Sequence, residues 1–91
     1  MYAVIFGSNN CKYCIFAKEL SEKIKSINSG FDYKFIDIYS EGITEEELFK
    51  IVGKKIETIP QIFIDKKYIG GFTEFKTYIK KTINKKDIKL S

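Results

Sequence analysis

The chain has 91 residues, of which 44% are hydrophobic and 31% charged, with a single proline; this is the composition of one globular domain over residues 1–91, too short for two domains of ordinary size. The formal net charge of +4 comes from lysine alone, because arginine and histidine are both absent. That excludes a Ser-His or Cys-His catalytic pair, a histidine-containing zinc site and an imidazole base.

The segment Tyr2-Ala3-Val4-Ile5-Phe6 runs into Gly7 and reads as a first strand rather than a secretory signal, for it lacks a basic region and a cleavage site. No apolar run reaches the roughly 18 to 20 residues that cross a bilayer, so the expected setting is the cytoplasm, without a membrane partner. From Lys12 to Ile27 the apolar positions Tyr13, Ala17, Leu20, Ile24 and Ile27 recur in steps of three and four, which predicts a helix burying that face. Asn28-Ser29-Gly30 stops it, and Phe31 to Ile38 forms a second strand, parallel to the first through a right-handed crossover.

A second helix is announced by Thr44 as N-cap, Glu47 closing a capping box, Ile43 against Leu48 as a hydrophobic staple, and Gly53 as its stop. Beyond Thr58-Ile59-Pro60, Gln61 to Ile64 is a third strand, which Asp65-Lys66-Lys67 turns back into a fourth through Tyr68 and Ile69. Gly70-Gly71 ends this hairpin, Thr73 is a candidate cap for a third helix, and Phe75, Tyr78, Ile79, Thr82 and Ile83 follow at helical spacing. Residues 84–91 read as a polar, basic tail. The order βαβ, then α, then ββα predicts an α/β architecture with a four-stranded mixed sheet and helices on both faces, the thioredoxin fold in its minimal form.

Cys11-Lys12-Tyr13-Cys14 lies between the first strand and the first helix, after the loop Gly7-Ser8-Asn9-Asn10. At a helix start, unpaired N–H groups and the dipole favour a thiolate, and Cys-x-x-Cys thiols so placed titrate well below the ~8.5 of a free thiol. Cys11 is therefore the expected nucleophile and Cys14, one turn further in, the expected resolving thiol. Lys12 adds a cation beside them and is a candidate for tuning the thiol pKa. The metal alternative lacks ligands: one Cys-x-x-Cys supplies two, and no further cysteine or histidine completes a tetrahedral site, so no metal is expected.

The motifs Cys11-Lys12-Tyr13-Cys14, Thr58-Ile59-Pro60 and Gly70-Gly71-Phe72-Thr73, together with Val4-Ile5-Phe6-Gly7 and Glu41-Gly42-Ile43-Thr44, make the chain resemble the bacterial dithiol glutaredoxins up to about Ile83. The resemblance implies reduction of protein disulfides and glutathione mixed disulfides, with glutathione as co-substrate and ribonucleotide reductase as one client, by a monomer. It implies that Ile59 offers its backbone to the glutathione cysteine, that Pro60 follows a cis bond, and that Tyr13, Thr58, Gly71 and Phe72 complete the cleft. It further implies that Thr73 and Glu74 engage the γ-glutamyl end. Tyr13 serves equally well as a packing residue.

Three positions depart from close relatives: Lys12 stands where they carry proline, Ser8 where they carry arginine and Phe72 where they carry tyrosine. Lys54 and Lys55 are candidates to restore charge near Thr58. Two competing functions are a thioredoxin-like donor reduced by a flavoprotein, against which the Gly-Gly-Phe-Thr segment argues, and a dimer holding a [2Fe–2S] cluster through Cys11. The dispersed lysines and missing arginine speak against nucleic-acid binding despite a pI near 9.0.

Overall fold

The computed structural model describes residues 1–55 and 58–83. Its elements are β1 (Tyr2–Gly7), α1 (Lys12–Ile27), β2 (Asp32–Asp37), α2 (Glu45–Val52), β3 (Gln61–Ile64), β4 (Lys67–Gly70) and α3 (Phe72–Thr82). The sheet order is β2-β1-β3-β4. β1 runs parallel to β2, whereas β1–β3 and β3–β4 are antiparallel. This is the mixed sheet and three-helix arrangement that the element order predicts. The expected basic tail at 84–91 lies outside the described residues.

Alternation along β1 divides the interior into two layers. Ala3 and Ile5 join Ala17, Leu20 and Ile24 of α1, Ile62 and Ile64 of β3, and Phe75 and Ile79 of α3 in one cluster. Phe6 points the other way and meets Ile38 and Leu48 of α2, with Val4, Ile43, Ile59 and Phe63 packed around them. A period of two carries opposite side chains to opposite faces, so the central strand needs a helix on each side. Burial of these side chains, the larger ones each contributing roughly 1.5 to 3 kcal/mol, is what holds α1 and α3 on one face and α2 on the other.

Local signals account for most boundaries. α2 carries the whole predicted start: the Thr44 hydroxyl accepts the Glu47 N–H at 3.1 Å, and the Glu47 carboxylate accepts the Thr44 N–H at 3.3 Å. Gly53 ends it in the left-handed region at φ 86°, where a side chain would be strained. The β3–β4 turn is tighter than expected. Asp65 and Lys66 take φ 49° and 71°, a two-residue turn of the kind that matches strand twist, and Lys67 is already in β4.

Three expectations are corrected. Tyr13 and Ile27 do not belong to the buried stripe of α1, being 55% and 48% exposed; Cys14 and Ser21 take their place. The stripe is rotated because the sheet meets α1 along Cys14, Ala17, Ser21 and Ile24, and Ser21 is tolerated there by donating to the Ala17 carbonyl at 2.8 Å. Strand β2 stops one residue short of Phe31 and Ile38 at its two ends, although both stay buried, one in each cluster. Thr73 is not the cap of α3. Gly71 is, because the Glu74 carboxylate accepts its N–H at 2.8 Å and the helix begins at Phe72.

The paired hydrogen bonds at α2 lead to a direct expectation. Thr44→Ala lowers stability by about 1 kcal/mol, read as a fall in the urea midpoint with an unchanged m-value, while Thr44→Ser retains most of it.

Candidate active site

The strand-to-helix loop is staked before it reaches the first cysteine. Ser8 is buried, its hydroxyl accepts the Asn10 N–H at 3.2 Å, and its carbonyl accepts the Cys11 N–H at 3.3 Å. Asn9 donates through its side chain to Asp37 at 3.0 Å, and the other Asp37 oxygen accepts the N–H groups of Tyr39 and Ser40. The ends of β1 and β2, parallel neighbours, are thereby tied together beneath the dithiol.

Cys11 is the N-cap of α1, with extended backbone at φ −99° and ψ 122°, and its sulfur accepts the Cys14 N–H at 3.3 Å. A helix start turns its donors toward whatever occupies the cap. The Cys11 thiol is also placed to donate to the Ile59 carbonyl at 3.5 Å. Cys14 is wholly buried. Burial, reinforced by the hydrogen bond with Cys11, pushes its thiol up from 9.0 to about 12. The two sulfurs therefore differ: Cys11 is partly accessible, while Cys14 is enclosed and holds its proton.

Room for the enclosed sulfur comes from Gly7, where a Cβ would stand 2.7 Å from the Cys14 Sγ. On the other side, Ile59-Pro60 is cis, as the resemblance implied. The segment before it is held by a relay in which the Tyr68 hydroxyl donates to the buried Gln61 side chain and Gln61 donates to the Thr58 carbonyl at 2.7 Å. The Lys54 ammonium lies 5.0 Å from the Tyr68 ring centroid, so it supports this relay.

Beside Cys11 opens a cleft of about 250 Å³ lined by Tyr13, Thr58, Ile59, Pro60, Gly71, Phe72, Thr73 and Glu74. These are the eight residues assigned to one ligand from the sequence, and they converge from α1, the segment before β3 and the start of α3. Gly70, at φ 127°, is required on two counts, since a Cβ there would also stand 2.9 Å from the Glu74 side chain. Lys12 sits at the first position of α1 with its ammonium 5.7 Å from the Phe16 ring centroid, one turn along the helix. Among the described residues no group of three or more Cys, Asp or Glu side chains is arranged to hold a metal ion.

Sequence reasoning gave no individual role to Gly7, Gln61 or Asp37, and none to Phe16, which lies outside the cleft. Gly7 reads as a strand end, and its role depends on Cys14 lying against it across the chain reversal. Gln61 reads as a strand residue. Phe16 did leave a signal, being four residues after Lys12 and three after Tyr13, off the buried stripe.

The glutaredoxin family model matches residues 3–69. The chain belongs to the glutaredoxin family. It is 51% identical over 84 residues to glutaredoxin 1 of Salmonella typhimurium, covering 92% of this chain and 97% of that one. The solved structure of reduced Escherichia coli glutaredoxin superposes with a TM-score of 0.84 at 46% identity, covering 91% of this chain and 98% of that one. A buckwheat glutaredoxin–glutathione complex superposes at 0.57 and 28% identity, over 79% of this chain and 62% of that one. Membership of the glutaredoxin family makes the chain a thiol–disulfide oxidoreductase.

Two outcomes follow from the buried sulfur. Its proton-holding state contributes stability that is intact below about pH 9 and is lost as the pH climbs toward 12. The stability difference between the reduced protein and Cys14→Ala, measured by urea unfolding, shrinks across that window; a pH-independent difference would contradict the burial argument. Gly7→Ala drives a methyl against the Cys14 sulfur and lowers stability by about 1 to 3 kcal/mol, with slower closure of the Cys11–Cys14 disulfide in stopped flow.

Proposed function

We propose that this chain reduces protein disulfides and glutathione mixed disulfides, with Cys11 as nucleophile, Cys14 as resolving thiol and glutathione as the electron source. The observation that carries this reading is the cleft of about 250 Å³ that meets the dithiol at Ile59, whose carbonyl lies 3.5 Å from the Cys11 sulfur.

The accessible Cys11 sulfur, as thiolate, attacks one sulfur of the substrate disulfide. A new S–S bond forms to Cys11, the substrate S–S bond breaks, and the departing thiolate takes up a proton. For a protein disulfide, Cys14 then gives up its proton and attacks the Cys11 sulfur, releasing the second substrate thiol and leaving an intramolecular disulfide. Two glutathione molecules supply the two electrons that reopen it and leave as glutathione disulfide. A mixed disulfide with glutathione needs only Cys11 and one further glutathione.

The groups present suit that co-substrate. Ile59 has a backbone N–H and C=O beside Cys11, able to pair with the peptide backbone of a bound cysteine residue. The first turn of α3, Phe72, Thr73 and Glu74, lines the cleft, and the unpaired N–H groups of a helix start suit the γ-glutamyl carboxylate, while the Glu74 carboxylate, which also accepts the Gly71 N–H, suits the neighbouring ammonium. The glutathione complex of the buckwheat relative is in keeping with this assignment. A cytoplasmic monomer serving ribonucleotide reductase among other clients completes the reading. The Lys12 ammonium lies over the Phe16 ring, 5.7 Å from its centroid, in the first turn of the helix that Cys11 caps.

In a glutathione-coupled assay, Cys11→Ser loses turnover by at least about a hundredfold on both substrate classes. Cys14→Ser keeps the mixed disulfide of cysteine and glutathione as substrate but loses protein disulfides. Full turnover by Cys11→Ser would overturn the assignment of the nucleophile.

A further inference from the structure

The rim of the dithiol carries more apolar surface than the cleft uses. Tyr13 and Phe16 face outward from α1 and are 55% and 36% exposed. The Tyr13 and Phe16 rings meet edge-on at 5.8 Å, and both approach Phe72 of α3, at 6.2 and 5.9 Å. The triangle of rings thus bridges two helices. Tyr13 and Phe72 also wall the cleft, whereas Phe16 lies outside it. Lys12 stands at the outer edge with its ammonium over the Phe16 ring, and the first turn of α1 holds no acidic residue.

An exposed apolar cluster of this kind, rimmed by charge and continuous with a reactive centre, is the usual mark of a recognition surface. Aromatic rings already packed on one another lose little freedom when covered, which makes them effective anchors. A small disulfide bound in the cleft ends at Tyr13 and Phe72. A polypeptide joined to Cys11 is longer than the cleft, and Phe16 packs against the outer side of two of the walls it must leave past, Tyr13 and Phe72.

We propose that Tyr13, Phe16 and Phe72, with Lys12 at their edge, form a docking surface for protein substrates that carry an apolar residue and a carboxylate close to the reactive cysteine. This deepens the disulfide-reductase reading above and rests on it. The apolar residue covers the rings, and the carboxylate meets the Lys12 ammonium and the donor end of α1, both of the same sign of preference. A second copy of the chain is the weaker occupant, because each carries a net charge of +4 and a two-fold contact would bring Lys12 toward its own counterpart.

The test compares three substrates with the full chain: the mixed disulfide of cysteine and glutathione, and two disulfide peptides alike except that one has glutamates and the other lysines beside its cysteine and phenylalanine. The wild type is expected to favour the acidic peptide by about tenfold in kcat/KM, a preference that shrinks at high salt. Phe16→Ser raises KM for the acidic peptide about fivefold and leaves the small mixed disulfide unchanged. Lys12→Glu reverses the acidic-to-basic ratio, a quantity from which any common change in Cys11 reactivity cancels. Equal treatment of the two peptides by the wild type, or a parallel loss on all substrates in Phe16→Ser, would overturn the proposal, as would a wild-type dimer that Phe16→Ser dissolves in sedimentation. Each assay is repeated with dithiothreitol in place of glutathione. Turnover with dithiothreitol but not with glutathione defeats the glutathione reading alone, and the peptide ratio still judges the docking surface.

Discussion

A sulfur atom does the work of a helix cap. Ordinary caps offer an oxygen to the first free amides of a helix; here the Cys11 Sγ accepts the Cys14 N–H. This one contact fixes where α1 begins and keeps Cys11 at the surface. Cys14, one turn on, lies on the buried face against Gly7. The rest of the molecule is arranged around that start: β1 delivers the loop, Asp37 and Asn9 hold it against the end of β2, and the segment leading into β3 brings the Ile59 carbonyl to the same sulfur.

Much of this was legible in the sequence, because several elements are specified by interactions between near neighbours. α2 is the clearest case: Thr44, Glu47 and Gly53 each answer a local need of a helix end, so their spacing is enough. The limits of α1 were equally plain. Its buried face was not, for Tyr13 and Ile27 satisfy the same periodicity as Cys14 and Ser21, and only the position of the sheet decides between them. The start of α3 failed for a related reason. Thr73 is a good cap in isolation, but the Glu74 carboxylate reaches back to the Gly71 amide and moves the start two residues earlier.

At the site the division is the same. The two cysteines and their order follow from a motif at a strand-to-helix junction. The eight cleft residues came from the resemblance of separated segments to known proteins, and their convergence requires the chain reversal between β3 and α3. Gly7 acts across space, through a missing Cβ against Cys14. Gln61 and Asp37 each join near neighbours, Thr58 for one and Tyr39 and Ser40 for the other, to a partner further off in the chain, Tyr68 and Asn9; that further partner is what no local pattern announces.

The enclosure of Cys14 also decides how the pair meets an oxidant. A peroxide reaches the accessible Cys11 sulfur and can convert it to a sulfenic acid, whereas the wholly buried Cys14 is shielded from the same encounter. An intact thiol is therefore held one helical turn from the damaged one. Condensation of the two expels water and returns an ordinary disulfide, the form the proposed cycle already reduces. The burial that makes Cys14 slow to ionise thereby keeps the first rung of oxidation from becoming the last.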